Sequence, residues 1–173
     1  MKTRAKRSFR LGWARKILGS VALVSCAIST PAFADCNTGL MAGDHALYVR
    51  WQNAVTTGTV SAKAEIRANG RVVLRGARVT YFENATGGEP IRHEGYGAGT
   101  IALAPQCTGL LSIGITERSS GSDVVKIDAN VIVSGNRQDP SVKGGALMDI
   151  LYPSLLPKYD NVFAEVELAK MSL

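Results

Sequence analysis

The chain has 173 residues, 46% hydrophobic and only 6% aromatic, with 20 Lys and Arg against 14 Asp and Glu. Seven of the basic residues lie before residue 35, where no acidic residue occurs, which leaves 13 against 14 for the remainder. A nucleic-acid-binding reading built on the basic balance therefore loses its main support, because such a surface must neutralise phosphates with clustered cations.

The first 34 residues run from a basic segment through the apolar stretch ILGSVALVSCAI to STPAFA. Basic, then apolar, then small residues at an Ala-x-Ala site is the order of a secretory signal peptide, and cleavage is expected after Ala34. The apolar run is too short for a membrane span, which needs roughly 20 such residues, and no later stretch approaches that length, so no transmembrane segment is expected after cleavage. LVSC carries the order of a lipoprotein cleavage box, which would make Cys26 a lipid-bearing N-terminus, but TPAFA fits ordinary signal peptidase better. KRSF in the basic segment resembles a twin-arginine export signal with Lys6 in place of the first arginine. The expected location is periplasmic or secreted.

After cleavage two cysteines remain, Cys36 and Cys107. An even count in an oxidising compartment predicts a disulfide between them. A zinc site made from Cys36, His45, His93 and Cys107 lacks the short paired spacings of structural zinc, so no metal is expected.

From there the repeating signal is period two. HALYVRW reads as a strand, and TVSAKAEIRANGRVVLRGARVTYF as two strands joined at Asn69-Gly70, with Ala62, Ala64, Ile66 and Ala68 opposing Lys63, Glu65 and Arg67. GTIALA and GLLSIGITE follow. In DVVKIDANVIVSGN, Val125, Ile127, Ala129, Val131 and Val133 share one face and Lys126, Asp128 and Asn130 the other. GGALMDILYPSLLP does not alternate, and Pro153 and Pro157 limit any helix, so a short helix or lid is expected near residues 144–152. NVFAEVELAK closes the chain as a strand. Residues 35–173 thus read as one all-β domain, a small antiparallel up-and-down barrel of about eight strands, with a two-sheet sandwich as the alternative.

GYGAGTIALAPQCTGLLSI, residues 95–113, resembles a motif of uncharacterised secreted bacterial proteins in which a Gly-x-Gly-Thr strand leads to a proline, a cysteine, Thr-Gly and a second strand. Those proteins are similar to small barrels of the allene oxide cyclase type. The likeness extends over roughly residues 55–135, although Gln106 stands where an acidic residue is common and Ile101 where an aromatic is. It implies a barrel fold and an envelope location, and it carries no catalytic residues.

Catalytic signals in the residues themselves are sparse. His45 follows Asp44 and His93 precedes Glu94, but neighbours on a strand point to opposite faces, so neither adjacency is a catalytic pair. No Gly-x-Ser-x-Gly elbow occurs, and ERSSGSD reads as a Ser-rich turn. GYGAG lacks the following helix that a phosphate loop needs, so close backbone packing or a strand bend explains it. NAT at 84–86 reads as a turn. Arg67, Arg71, Arg75 and Arg78 form a basic cluster on a hairpin, either a solvated face or an anion site. No cofactor motif is present.

What remains is a ligand site inside the barrel or at its mouth. Inward alanines (Ala62, Ala64, Ala68, Ala129) leave a taper or a cavity, and Tyr48, Tyr81, Tyr96 and His93 are the candidate lining residues, with Trp51 over one mouth. Three expectations follow. One is an exported barrel binding a small, largely apolar molecule. The second is an isomerase or cyclase that positions its substrate. The third is an envelope interaction protein with a filled core, recognisable by an apolar exterior patch.

Overall fold

Alternating apolar and polar residues need a surface with one dry and one wet face, and eight such segments of this chain meet that need by curling into a single sheet. The computed structural model describes residues 36–83, 88–135, 138–151 and 159–171. The leader with Cys26 and the Ala34 site, the NAT turn, and the stretch holding Pro153 and Pro157 lie outside the described residues. The strands are β1 (Gly43–Gln52), β2 (Thr56–Ile66), β3 (Arg71–Glu83), β4 (Ile91–Leu103), β5 (Thr108–Glu117), β6 (Asp123–Gly135), β7 (Pro140–Ile150) and β8 (Tyr159–Lys170). Each pairs with the next, and a ladder from His45↔Lys170 to Trp51↔Ala164 joins β1 to β8. The barrel is closed and antiparallel. That ladder excludes the two-sheet sandwich, which would leave both edges open.

The inward rows form the core. Val125, Ile127, Ala129, Val131 and Val133 of β6 are buried, as are Val162, Ala164, Val166 and Leu168 of β8. Lys126, Asp128 and Asn130 point outward, as the alternation predicts. An apolar inside with a largely polar outside is the reverse of a transmembrane barrel. Among the described residues, no helix is long and apolar enough to cross a membrane.

Residues 144–150 are strand, not the expected helix or lid. Val142, Ala146, Met148 and Ile150 are buried, so the alternation is present. It was masked in the sequence because Gly144 occupies an inward position with no side chain, while Leu147 is apolar yet lies outside, 53% exposed. Ladder bonds to β6 and β8 on both sides hold the segment extended.

The Asn69-Gly70 turn forms where the sequence places it, but its loop is one residue longer than a two-residue turn. Arg67 N–H donates to Arg71 O (2.9 Å) around Ala68, Asn69 and Gly70, and Gly70 alone takes a positive φ, 83°. Ala68 therefore sits in an exposed turn and lines no interior. A second irregularity shapes the sheet more deeply. β3 carries one extra residue at Arg75–Ala77, which shifts its register against both β2 and β4. Before this bulge Val72 and Leu74 face inward, and after it Ala77, Val79 and Tyr81 do.

One end of the barrel is closed by the N-terminal segment. Cys36 bonds to Cys107 with a Cα–Cα distance of 5.1 Å, and a 3-10 turn at Thr38–Met41 follows. Met41 is fully buried in the core, and Thr38 Oγ1 accepts from Leu103 N–H at 3.3 Å.

Candidate functional site

The opposite end holds two of the three buried polar residues found among the described residues, Thr56 and His93. In the β1–β2 turn, Asn53 Oδ1 accepts from Val55 N–H (2.8 Å) and Thr56 N–H (2.6 Å), a local asparagine turn that fixes the entry to β2. Thr56 is fully buried, and its hydroxyl accepts from Trp51 Nε1–H at 3.1 Å. The indole is thereby pinned inside the barrel, 3% exposed, rather than lying across the mouth.

Next to this, Tyr81 on β3 stacks on His93 of β4, with ring centroids 6.2 Å apart and an interplanar angle of 19°. Both are buried. Three of the five sequence-predicted residues, Trp51, Tyr81 and His93, therefore share one end of the interior. Tyr48 and Tyr96 do not join them. They lie outside at 45% and 51% exposure, because Leu47 and Val49 take the inward positions beside Tyr48, and Gly95 and Gly97 take those beside Tyr96.

His93 finds its acid on another strand. Nδ1 lies 2.7 Å from Oε1 of Glu117 at the end of β5, and Ser120 Oγ–H donates to the other carboxylate oxygen at 2.7 Å. These bonds, the one from His93 above all, hold the Glu117 carboxyl below its ordinary pKa. With Glu117 ionised, Nδ1 is the donor and Nε2 the basic nitrogen of the imidazole. Sequence reasoning missed Glu117, since it lies 24 residues from His93 and reaches it only through the β4–β5 register. The neighbouring Glu94 faces outward and pairs with Arg78, as strand alternation requires. Likewise Asp44 pairs outward with Lys63 while His45 turns in.

His45 lies toward the closed end, fully buried, with Nδ1 3.3 Å from Gly43 O. Its Nε2 has no hydrogen-bond partner among the described residues, and burial holds its pKa below the ordinary histidine value. Among the described residues, no three His, Cys, Asp or Glu side chains converge as metal ligands.

GYGAG behaves as a close-packing stretch. A side chain at Gly95 or Gly97 would run into the backbone oxygens of Thr116 or Gly114 on β5.

The outer face of β5 to β8 and β1 is the other concentration of unusual residues. Leu110, Ile132 and Phe163 are 63%, 60% and 67% exposed, and Leu147 and Tyr48 stand beside them. Phe163 lies over Gly145, whose missing side chain leaves a groove of about 500 Å³ between Leu110, Leu147 and Phe163. Around this surface the charges are matched in pairs: Arg50 Nε–H to Glu165 at 2.6 Å, Lys143 to Glu167 at 3.4 Å and Lys126 to Asp128 at 3.1 Å. No protein-family model, curated protein or solved structure matches this chain.

Proposed function

We propose that this is an exported envelope protein that acts through its outer surface, a solid barrel that associates with a second copy of itself through the β5–β8 face. The contrast between the two faces of the sheet carries this reading. Inward side chains pack against one another, whereas Leu110, Ile132, Leu147 and Phe163 present a connected apolar surface to solvent. A second copy is the occupant that fits the rim. Three cations and three carboxylates alternate there in pairs, and a two-fold interface sets a patch against its own rotated image, where a rim of one sign would repel itself. Export is supported by the Cys36–Cys107 bond, which persists in oxidising compartments.

Sedimentation velocity on the mature protein tests the reading. A dimer is expected for the wild type and a monomer for Leu110→Asp/Phe163→Asp. A wild type that stays monomeric at high micromolar concentration overturns it.

A second reading keeps the small, largely apolar molecule expected from the sequence. The indole of Trp51, the phenol of Tyr81 and the His93–Glu117 pair at one barrel end are what such a molecule would lie against, and an isomerase acting by substrate positioning is its catalytic form. A native mass spectrum of protein purified from the periplasm tests it. A retained small molecule that is lost on Tyr81→Ala substitution supports it, and bare protein counts against it.

A further inference from the structure

The arginine cluster on β3 changes meaning once the barrel is closed. Charges on exposed strands commonly protect sheet edges, but β3 is paired along both sides and has no edge to protect. The bulge supplies a different account. Residues three apart on a regular strand point to opposite faces, so Arg75 and Arg78 would be separated by the sheet. The extra residue at Arg75–Ala77 reverses the parity and brings both side chains to the outside, 69% and 71% exposed. Bulges re-aim side chains in this way and recur beside functional sites.

The same bulge builds a groove of about 530 Å³. Its floor is Ala62, Gly76 and Gly95, and Lys63, Arg75, Arg78 and Arg118 stand around it; Glu94 is the carboxylate of the lining, and Asp44 pairs with Lys63 from outside it at 2.6 Å. Gly76 has a φ of 58°, and a Cβ built on it would meet nothing within 4 Å, so the space above it is open. Arg118 arrives from the β5–β6 turn, held by its backbone N–H donating to Glu94 O at 2.9 Å. Its guanidinium has no ion-pair partner among the described residues. Arg75 and Arg78 are engaged by Glu65 (2.9 Å) and Glu94 (3.4 Å), both solvent-exposed pairs that cost little to exchange.

We propose that this groove binds the phosphate group of an anionic ligand. Arg75, Arg78 and Arg118 supply planar forks that match two phosphate oxygens at a time, and Lys63 adds a point charge. Tyr48 is also in the lining and adds an exposed aromatic side chain beside the cations. The phosphate can belong to a soluble ester or to a lipid headgroup, since the chemistry read by the guanidinium groups is the same.

The test is a titration of ¹⁵N-labelled mature protein with inorganic pyrophosphate at low salt. Saturable amide shifts confined to Arg75, Gly76, Arg78 and Arg118 are expected, with affinity falling about a hundredfold in Arg75→Ala/Arg78→Ala, the loss of two charge-assisted pairs. Thermal unfolding of that variant should match the wild type, since both side chains are exposed. No shifts, or shifts equally large at Lys126 on β6, which does not line the groove, overturn the proposal. Flotation with vesicles of phosphatidylglycerol and phosphatidylcholine in equal parts separates the two sources. Co-flotation abolished by the double substitution assigns the groove to a headgroup, and pyrophosphate binding without flotation assigns it to a soluble phosphate ester.

Discussion

Trp51 and Gly58 sit directly opposite each other on β1 and β2, and the indole occupies the space that a side chain at position 58 would need. The glycine is the cavity into which the largest core side chain folds, and Thr80 O closes the other side of it. Gly58→Ala is expected to destabilise the barrel by about 1–3 kcal/mol through overpacking. Urea unfolding followed by Trp51 fluorescence measures it, and an unchanged midpoint would mean that the indole moves aside freely.

The Cys36–Cys107 bond ties the N-terminal segment to the β4–β5 turn across a sequence separation of 71. Replacing both cysteines with alanine should cost on the order of 4 kcal/mol from loop-closure entropy. The plug should also loosen locally. Hydrogen exchange at the Leu103 amide, which donates to Thr38 Oγ1, should then accelerate more than exchange at Ile127 in the middle of β6.

His45 is buried, and desolvation lowers its pKa below 6.5, opposed by the bond to Gly43 O and the charge of Asp44 and reinforced by Lys170. The folded state therefore binds fewer protons than the unfolded chain in the window below that value, so stability falls as pH drops from 6.5 through the lowered folded pKa. His45→Leu should flatten this part of the profile. Thermal melts at steps between neutral and mildly acidic pH give the comparison, and a variant that keeps the wild-type slope would assign it elsewhere.

Glu117 contributes in the same direction but at lower pH. Its bonds to His93 and Ser120 depress its pKa below 4.5, so its stabilising contribution is full above 4.5 and disappears as pH falls through the folded value. Glu117→Gln should be less stable than the wild type near neutrality, with the gap closing in acid. A constant gap at all pH values would show that the carboxylate charge is not what His93 needs.

Most of the barrel was legible because a closed antiparallel sheet repeats one rule along every strand. The β6 row from Val125 to Val133 and the β8 row from Val162 to Leu168 read directly as inward faces. β7 did not, because a glycine inside and a leucine outside erase the contrast on which the rule depends. The candidate site was half legible. Trp51, Tyr81 and His93 stood out as aromatic or titratable residues near strand ends, but inward or outward placement at Tyr48 and Tyr96 turned on parity, which no single residue reveals.

By itself, the sequence determined the strand rows other than β7 and the two cysteines available to pair, since these follow from local alternation and composition. Tertiary structure alone decided that the sheet closes, that Glu117 rather than Glu94 meets His93, and that one extra residue in β3 turns Arg78 outward beside Arg75. The reason is register. Which residues face each other across a ladder depends on how two distant segments align, and a shift of one residue exchanges the inside of the barrel for its surface.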